Sequence, residues 1–186
     1  PEYVIGYSSG ENEILSLPFF KMRFINFDEY DDRLRNEFDY KQPEGRLVYI
    51  DNQSSQAVFL SNFLIQDEAL LKPIYTTIGV NRIKQFRIII QQNAQVNKWR
   101  PAIFGLEGYE DEKIEGEEEA VFELTSKLQS TIEKFKSCAT TQFFDTEKKT
   151  LYLDYFVNNE TKKAFRSFFE DDALVLFRAF QVLLTL

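Results

Sequence analysis

The chain has 186 residues, 44% of them hydrophobic, enough to bury roughly 70% of its unfolded surface in one core or two small lobes. It has no histidine and one cysteine, Cys138, which excludes an internal disulfide, zinc chemistry and imidazole acid–base catalysis. The net charge of −8 opposes nonspecific nucleic-acid binding, and no apolar run approaches the ~20 residues of a membrane span, so a cytoplasmic protein without a membrane partner is expected.

Residues 2–6 (Glu-Tyr-Val-Ile-Gly) predict a strand that enters a Ser-Ser-Gly turn, with a helix from Glu11 capped by Ser8 or Ser9 and interrupted at Pro18. Acids and arginines crowd residues 28–39 and read as a solvated helix end and loop. Pro43-Glu44-Gly45 marks a turn before a short buried strand, Arg46-Leu47-Val48-Tyr49-Ile50-Asp51. Asn52-Gln53-Ser54-Ser55 caps a helix whose apolar positions Val58, Phe59, Phe63 and Leu64 share a face. Pro73 and Gly79 punctuate its exit, and Phe86-Arg87-Ile88-Ile89-Ile90 predicts another strand.

Residues 105–118 are rich in Gly and Glu and read as a flexible acidic loop between an α/β half (1–104) and an α+β half (119–186). In the second half, Val121, Leu124, Leu128, Ile132 and Phe135 form a helical stripe. Phe143-Phe144-Asp145 and Leu151-Tyr152-Leu153-Asp154-Tyr155 flank a hairpin turn, and two helices begin near Asn159 and Asp172. The expected fold is mixed α/β to α+β: a parallel or mixed sheet with flanking helices, followed by a helical and hairpin half. Nineteen phenylalanines predict a Phe-rich core, with some rings available to pack against other parts of a longer protein. The start at Pro1 and the apolar end at Leu186 lead us to expect a segment of such a protein.

The N-terminal turn carries the most specific motif. A helix start leaves amide protons unpaired beside a partial positive charge, which suits a phosphate oxygen, and Gly10 lets backbone approach without a Cβ. Tyr7-Ser8-Ser9-Gly10-Glu11, followed by Asn12-Glu13-Ile14-Leu15-Ser16-Leu17, resembles the signature motif of ABC-type ATPases, the family that includes SMC heads. The resemblance implies that Ser8, Ser9, Gly10 and Glu11 bind the γ-phosphate of a nucleotide whose other phosphates lie in a P-loop, and this chain has no P-loop. A Walker B-like strand has two candidates: Phe24-Ile25-Asn26-Phe27-Asp28-Glu29, and residues 46–51 ending in Asp51. After Asp51, Asn52 stands where the family's water-orienting Glu is expected, and an amide cannot take a proton from water. Residues 85–92 stand where the family has a switch histidine, and none is present.

The wider strings Gly6-Tyr7-Ser8-Ser9-Gly10-Glu11-Asn12-Glu13-Ile14-Leu15-Ser16-Leu17-Pro18-Phe19-Phe20, Arg46-Leu47-Val48-Tyr49-Ile50-Asp51-Asn52-Gln53 and Leu151-Tyr152-Leu153-Asp154-Tyr155-Phe156-Val157 resemble AAA-annotated ATPases that accompany prokaryotic restriction and defence systems. That likeness implies an internal regulatory or interaction region of an ABC-like ATPase. Its partners would be the remainder of the ATPase and restriction or defence proteins. ATP and magnesium would be cofactors of the longer protein and none would be held by this segment, which has no catalytic residue and no metal site of its own. The competing expectation is a non-enzymatic protein- or nucleic-acid-binding module in which Ser8-Ser9-Gly10-Glu11 is only a helix cap.

A second feature bears on that alternative. Residues 69–106 contain no acid but include Lys72, Arg82, Lys84, Arg87, Lys98 and Arg100. Of these, Arg82, Lys84, Arg87, Lys98 and Arg100, with Trp99 beside them, are candidate nucleic-acid contacts, since cations hold phosphates and a Trp stacks on bases. The acidic run 107–119 lacks the alternation and the glycine of an EF-hand and reads as a solvated linker. Asp28, Asp31 and Asp32 with Lys41 have no spacing that lifts them above a charged loop.

Overall fold

The computed structural model describes residues 4–7, 47–50, 54–91 and 119–183, with side chains excluded for 4–7, 47–49 and 119–127. The chain forms two compact units, residues 1–56 with 116–122, and residues 57–115 with 123–186. Both α-helices and β-strands are present, so the class is mixed α and β.

In the first unit, β1 (Val4–Tyr7) pairs in parallel with β2 (Leu47–Ile50), in the register Val4 with Leu47 through Tyr7 with Ile50. Parallel strands cannot be joined by a tight hairpin and need a crossover of a dozen or more residues, which 8–46 is long enough to supply. Residues 8–46, which hold the helix expected from Glu11, the kink at Pro18 and the first Walker B candidate, lie outside the described residues, as do 51–53.

The second unit is built on an antiparallel sheet of β3 (Gln85–Gln91), β4 (Thr141–Asp145) and β5 (Thr150–Phe156), in the order β3-β5-β4. The expectation of a parallel or mixed sheet is therefore corrected for this larger sheet, which is antiparallel; the parallel pairing among the described residues is confined to β1 and β2. The reason is the hairpin: β4 and β5 are joined by four residues, which only an antiparallel pair allows. Asp145 makes that turn by accepting from the Glu147 and Lys148 backbone N–H groups at 3.1 and 3.0 Å, and Lys149 closes it at φ 49°. Because β3 lies before residues 105–118 and β5 after them, one sheet draws on both halves of the sequence.

Helices surround one side of the unit. The sequence places one helix after Ser55, and the structure divides this region into α1 (Ser55–Ile65) and α2 (Glu68–Thr77). Pro73 lies inside α2 rather than at an exit. The bond it forgoes belongs to Ala69, an exposed residue, so water can satisfy the freed carbonyl. Gly79 follows the last turn at φ 73°, the left-handed conformation that ends helices.

Beyond the undescribed 92–118, α3 (Glu119–Cys138) carries the predicted stripe, of which Leu128, Ile132 and Phe135 are buried, as is Cys138 at its end, while the side chains of Val121 and Leu124 lie outside the described residues. α4 (Asn159–Phe168) and α5 (Ala173–Leu183) close the unit. Asn158 caps α4 by accepting from the Thr161 N–H at 2.9 Å, and Asp172 caps α5 by accepting from Leu174 at 2.7 Å. The link between them turns through Glu170 and Asp171 at φ 59° and 53°, with Asp171 N–H donating to the Arg166 carbonyl at 2.7 Å.

Phenylalanine fills the core as expected. Phe135 (α3), Phe165 (α4) and Phe180 (α5) meet Phe169 and Tyr155, with ring centroids of Phe135 5.1 Å from Phe169 and 5.0 Å from Phe180. On the sheet side, Phe86 stacks on Tyr155 at 4.5 Å and 8°. These tilted and offset rings add to the area they bury.

Cys138 sits at the edge of this core, 5% exposed, and burial pushes its thiol up to about 12. The thiolate is the reactive form. We therefore expect thiol reagents at mildly alkaline pH to leave the native protein unlabelled and to modify Cys138 fully in urea. Labelling in native buffer at the rate of a free thiol would show that this corner opens on its own.

Candidate functional site

The nucleotide-type candidates follow β1 and β2 in the sequence. Side chains on parallel strands run in step, so the carboxyl ends of both strands fall on one edge of the sheet. Tyr7 and Ile50 are paired there, the last residues of their strands. The signature-like residues Ser8, Ser9, Gly10 and Glu11 and the Walker B-like Asp51 and Asn52 themselves lie outside the described residues. What the described strands establish is that β1 and β2 end in register with each other. Crevices beyond the carboxyl ends of parallel strands are where open α/β sheets bind ligands.

The basic candidates divide. Arg82 and Lys84 are exposed in the lead-in to β3, while Lys98, Trp99 and Arg100 lie outside the described residues. The Lys84 carbonyl accepts from Val157 N–H at 2.9 Å, which fixes the lead-in beside the end of β5. Arg87 is already engaged. Its Nε and Nη2 donate to the two carboxylate oxygens of Asp154 at 2.6 and 2.8 Å, a bidentate clasp across the β3–β5 ladder. The clasp raises the Arg87 pKa and lowers that of Asp154, in each case chiefly through the side-chain hydrogen bond. Phe86 and Ile88 alternate with Arg87 and pair with Tyr155 and Leu153, so they face the core. The strand therefore presents Gln85, Arg87, Ile89 and Gln91 on its other face.

That other face is the part of the molecule sequence reasoning missed. Helices cover the side of the sheet formed by Leu151, Leu153 and Tyr155, all buried. On the opposite side Ile89, Tyr152 and Phe143 lie in register across the three strands, with Ile89 59% and Phe143 64% exposed. Tyr152 is half-buried between them: the Phe143 ring is 6.1 Å away and the Arg87 guanidinium 5.6 Å over its face. The next row holds the Arg87–Asp154 clasp beside Thr141, and the row beyond it Gln85 with Phe156, 55% exposed. Apolar residues on both faces of β5 conceal its alternation. The available signal was Asp154, a carboxylate that must avoid the core and whose parity carries Tyr152 and Phe156 outward with it.

Among the described residues no three His, Cys, Asp or Glu side chains are grouped to hold a metal ion, and no helix is long and apolar enough to cross a membrane. Comparison with protein-family models, with curated proteins and with solved structures finds no match.

Proposed function

We propose that the chain is an internal region of an ABC-like ATPase, contributing a signature-like loop (Ser8, Ser9, Gly10, Glu11) and an acid, Asp51, to a nucleotide site that it does not complete. The observation that supports this reading is the parallel β1–β2 register, in which Tyr7 and Ile50, the residues that precede the two segments in the sequence, are paired. The residues fit the cofactor chemistry that the reading requires. Amides and hydroxyls at a helix start suit a γ-phosphate, and a carboxylate after an apolar strand suits the coordination shell of magnesium. When bound, the nucleotide supplies the phosphoryl group; this chain's own residues orient it and offset its charge. With Asn52 after Asp51, the chain lacks a base to activate water, so the segment holds phosphate rather than cleaving it. A role in a restriction or defence system belongs to the same proposal and rests on the motif strings alone.

The test is backbone-amide NMR of the 186-residue chain titrated with magnesium and a slowly hydrolysed ATP analogue. We expect weak saturable shifts at Ser9, Gly10 and Glu11 and near Asp51, with an affinity on the order of 1 mM, about 4 kcal/mol. Ser9→Arg should abolish them without disturbing β3, β4 and β5. Absence of shifts at that edge, or micromolar binding by this chain alone, overturns the proposal.

A further inference from the structure

The open face of the three-stranded sheet supports a second inference, independent of the ATPase reading. The geometry points to a stacking platform for a short stretch of single-stranded nucleic acid, with Phe143 and Phe156 as the open rings and Arg87 between them.

Four observations converge. The face is aromatic in alternate rows: Tyr152 beside Phe143, then the Arg87–Asp154 pair, then Phe156. Bases stack on such rings regardless of sequence, because every base has a π-face, and a guanidinium lying over an aromatic ring extends the same surface. The face is also neutralised. Among the described residues its carboxylates are Asp154, clasped by Arg87, and Asp145, which accepts from two turn amides and lies 3.5 Å from the Lys148 ammonium. In a chain of net charge −8, this is a patch from which repulsion of phosphates has been removed. Exposed Arg82 and Lys84 flank the Phe156 end, within a stretch of sequence, 69–106, that carries no acid.

Size decides the class of occupant. Three strands ~4.8 Å apart and five to seven residues long present about 300 Å², well short of the ~800 Å² per partner of a stable protein interface. That area suits two or three splayed bases, the number stacked by the aromatic side chains of four-stranded RNA-binding sheets. Binding here is dominated by stacking, with few phosphate contacts.

The experiment is fluorescence anisotropy of labelled oligothymidylate and oligouridylate, about ten nucleotides long, titrated with the whole chain at low salt. We expect micromolar affinity, a log–log salt slope no steeper than about −2, and weaker binding to duplex. Phe143→Ala and Phe156→Ala, at exposed positions that leave circular dichroism unchanged, should each weaken binding roughly fivefold to hundredfold, the worth of one stacked base. Asp154→Asn, which releases the guanidinium, should tighten it and steepen the salt slope, a gain that a purely structural pair would not give. A preference between thymidylate and uridylate assigns DNA or RNA. Failure to bind either oligomer, or binding indifferent to both Phe substitutions, overturns the inference. So does a concentration-dependent dimer in sedimentation that Phe143→Ala dissolves, since the face would then be a protein interface.

Discussion

Replacing Phe135 by alanine is expected to destabilise the second unit by about 3–5 kcal/mol, measured by urea unfolding followed with circular dichroism. Phe135 is fully buried on α3, and its ring lies within 6.3 Å of three others, Phe165 and Phe169 beside α4 and Phe180 on α5. Its ring contacts rings on both of the last two helices, so its loss removes transfer energy and also opens a space that separate elements border. Those elements are held by their own contacts: α4 by the Asn158 cap, and Phe165 against Tyr155 at 5.4 Å. The cavity therefore cannot close without moving a helix, which sets the effect at the upper part of the usual range. Phe135→Leu, which keeps most of the volume, should recover more than half of the loss. A cost below about 1 kcal/mol for Phe135→Ala would mean that the helices relax freely and that the core is loosely specified.

The residues whose burial makes that core were largely legible in the sequence. The stripe through Leu128, Ile132 and Phe135 has helical spacing, Asn158 and Asp172 are capping residues, and Asp145 with four polar residues after it is a turn. Each is a local signal, and local signals survive without knowledge of the partner. What failed were the pairings. Nothing in Phe86-Arg87-Ile88-Ile89-Ile90 says that it will pair antiparallel with a strand more than sixty residues later, because a buried strand of either kind is an apolar run. α2 was missed because Pro73 was given the weight of a terminator, while Leu71 facing the core holds the helix in spite of it. At the candidate site the same division applies. The chemistry of Ser8, Ser9, Gly10 and Asp51 is written in residue types, but the Tyr7–Ile50 register of the strands before them is not encoded by a four-residue strand alone. The basic stretch misled for a related reason. Composition marks Arg87 as a free cation, and only the ladder reveals that Asp154 stands opposite it.

Tyr155→Phe is the second large effect, and it isolates a single hydrogen bond. Four carbonyls at a helix C-terminus have no partner within the helix. At the end of α3 the Ala139 N–H turns back to the Lys136 carbonyl, which leaves the Phe135 carbonyl without the usual amide. The Tyr155 hydroxyl donates to it at 2.9 Å, deep in the core, with Tyr155 1% exposed. Removing the hydroxyl strands that carbonyl away from water, so the loss is expected to be about 1–3 kcal/mol rather than the smaller net worth of an average hydrogen bond. Tyr152→Phe, on the half-buried outer face, should change stability by less than about 0.5 kcal/mol. The pH profile gives an independent reading. Burial raises the Tyr155 phenol above its ordinary 10.0, with a further contribution from Cys138, and burial raises the Cys138 thiol from 9.0 to about 12. Both groups are held neutral in the folded state, so the stability they confer is complete below their unfolded values and is lost as pH rises toward the folded ones. Wild-type protein should therefore weaken steadily above pH 9, through Cys138 first and Tyr155 above pH 10. Tyr155→Phe should start lower and fall less steeply in the upper part of that range, so the two curves converge with rising pH. Parallel curves would mean that the phenol is ionisable in the folded state and that the Phe135 carbonyl is satisfied by something other than this hydroxyl.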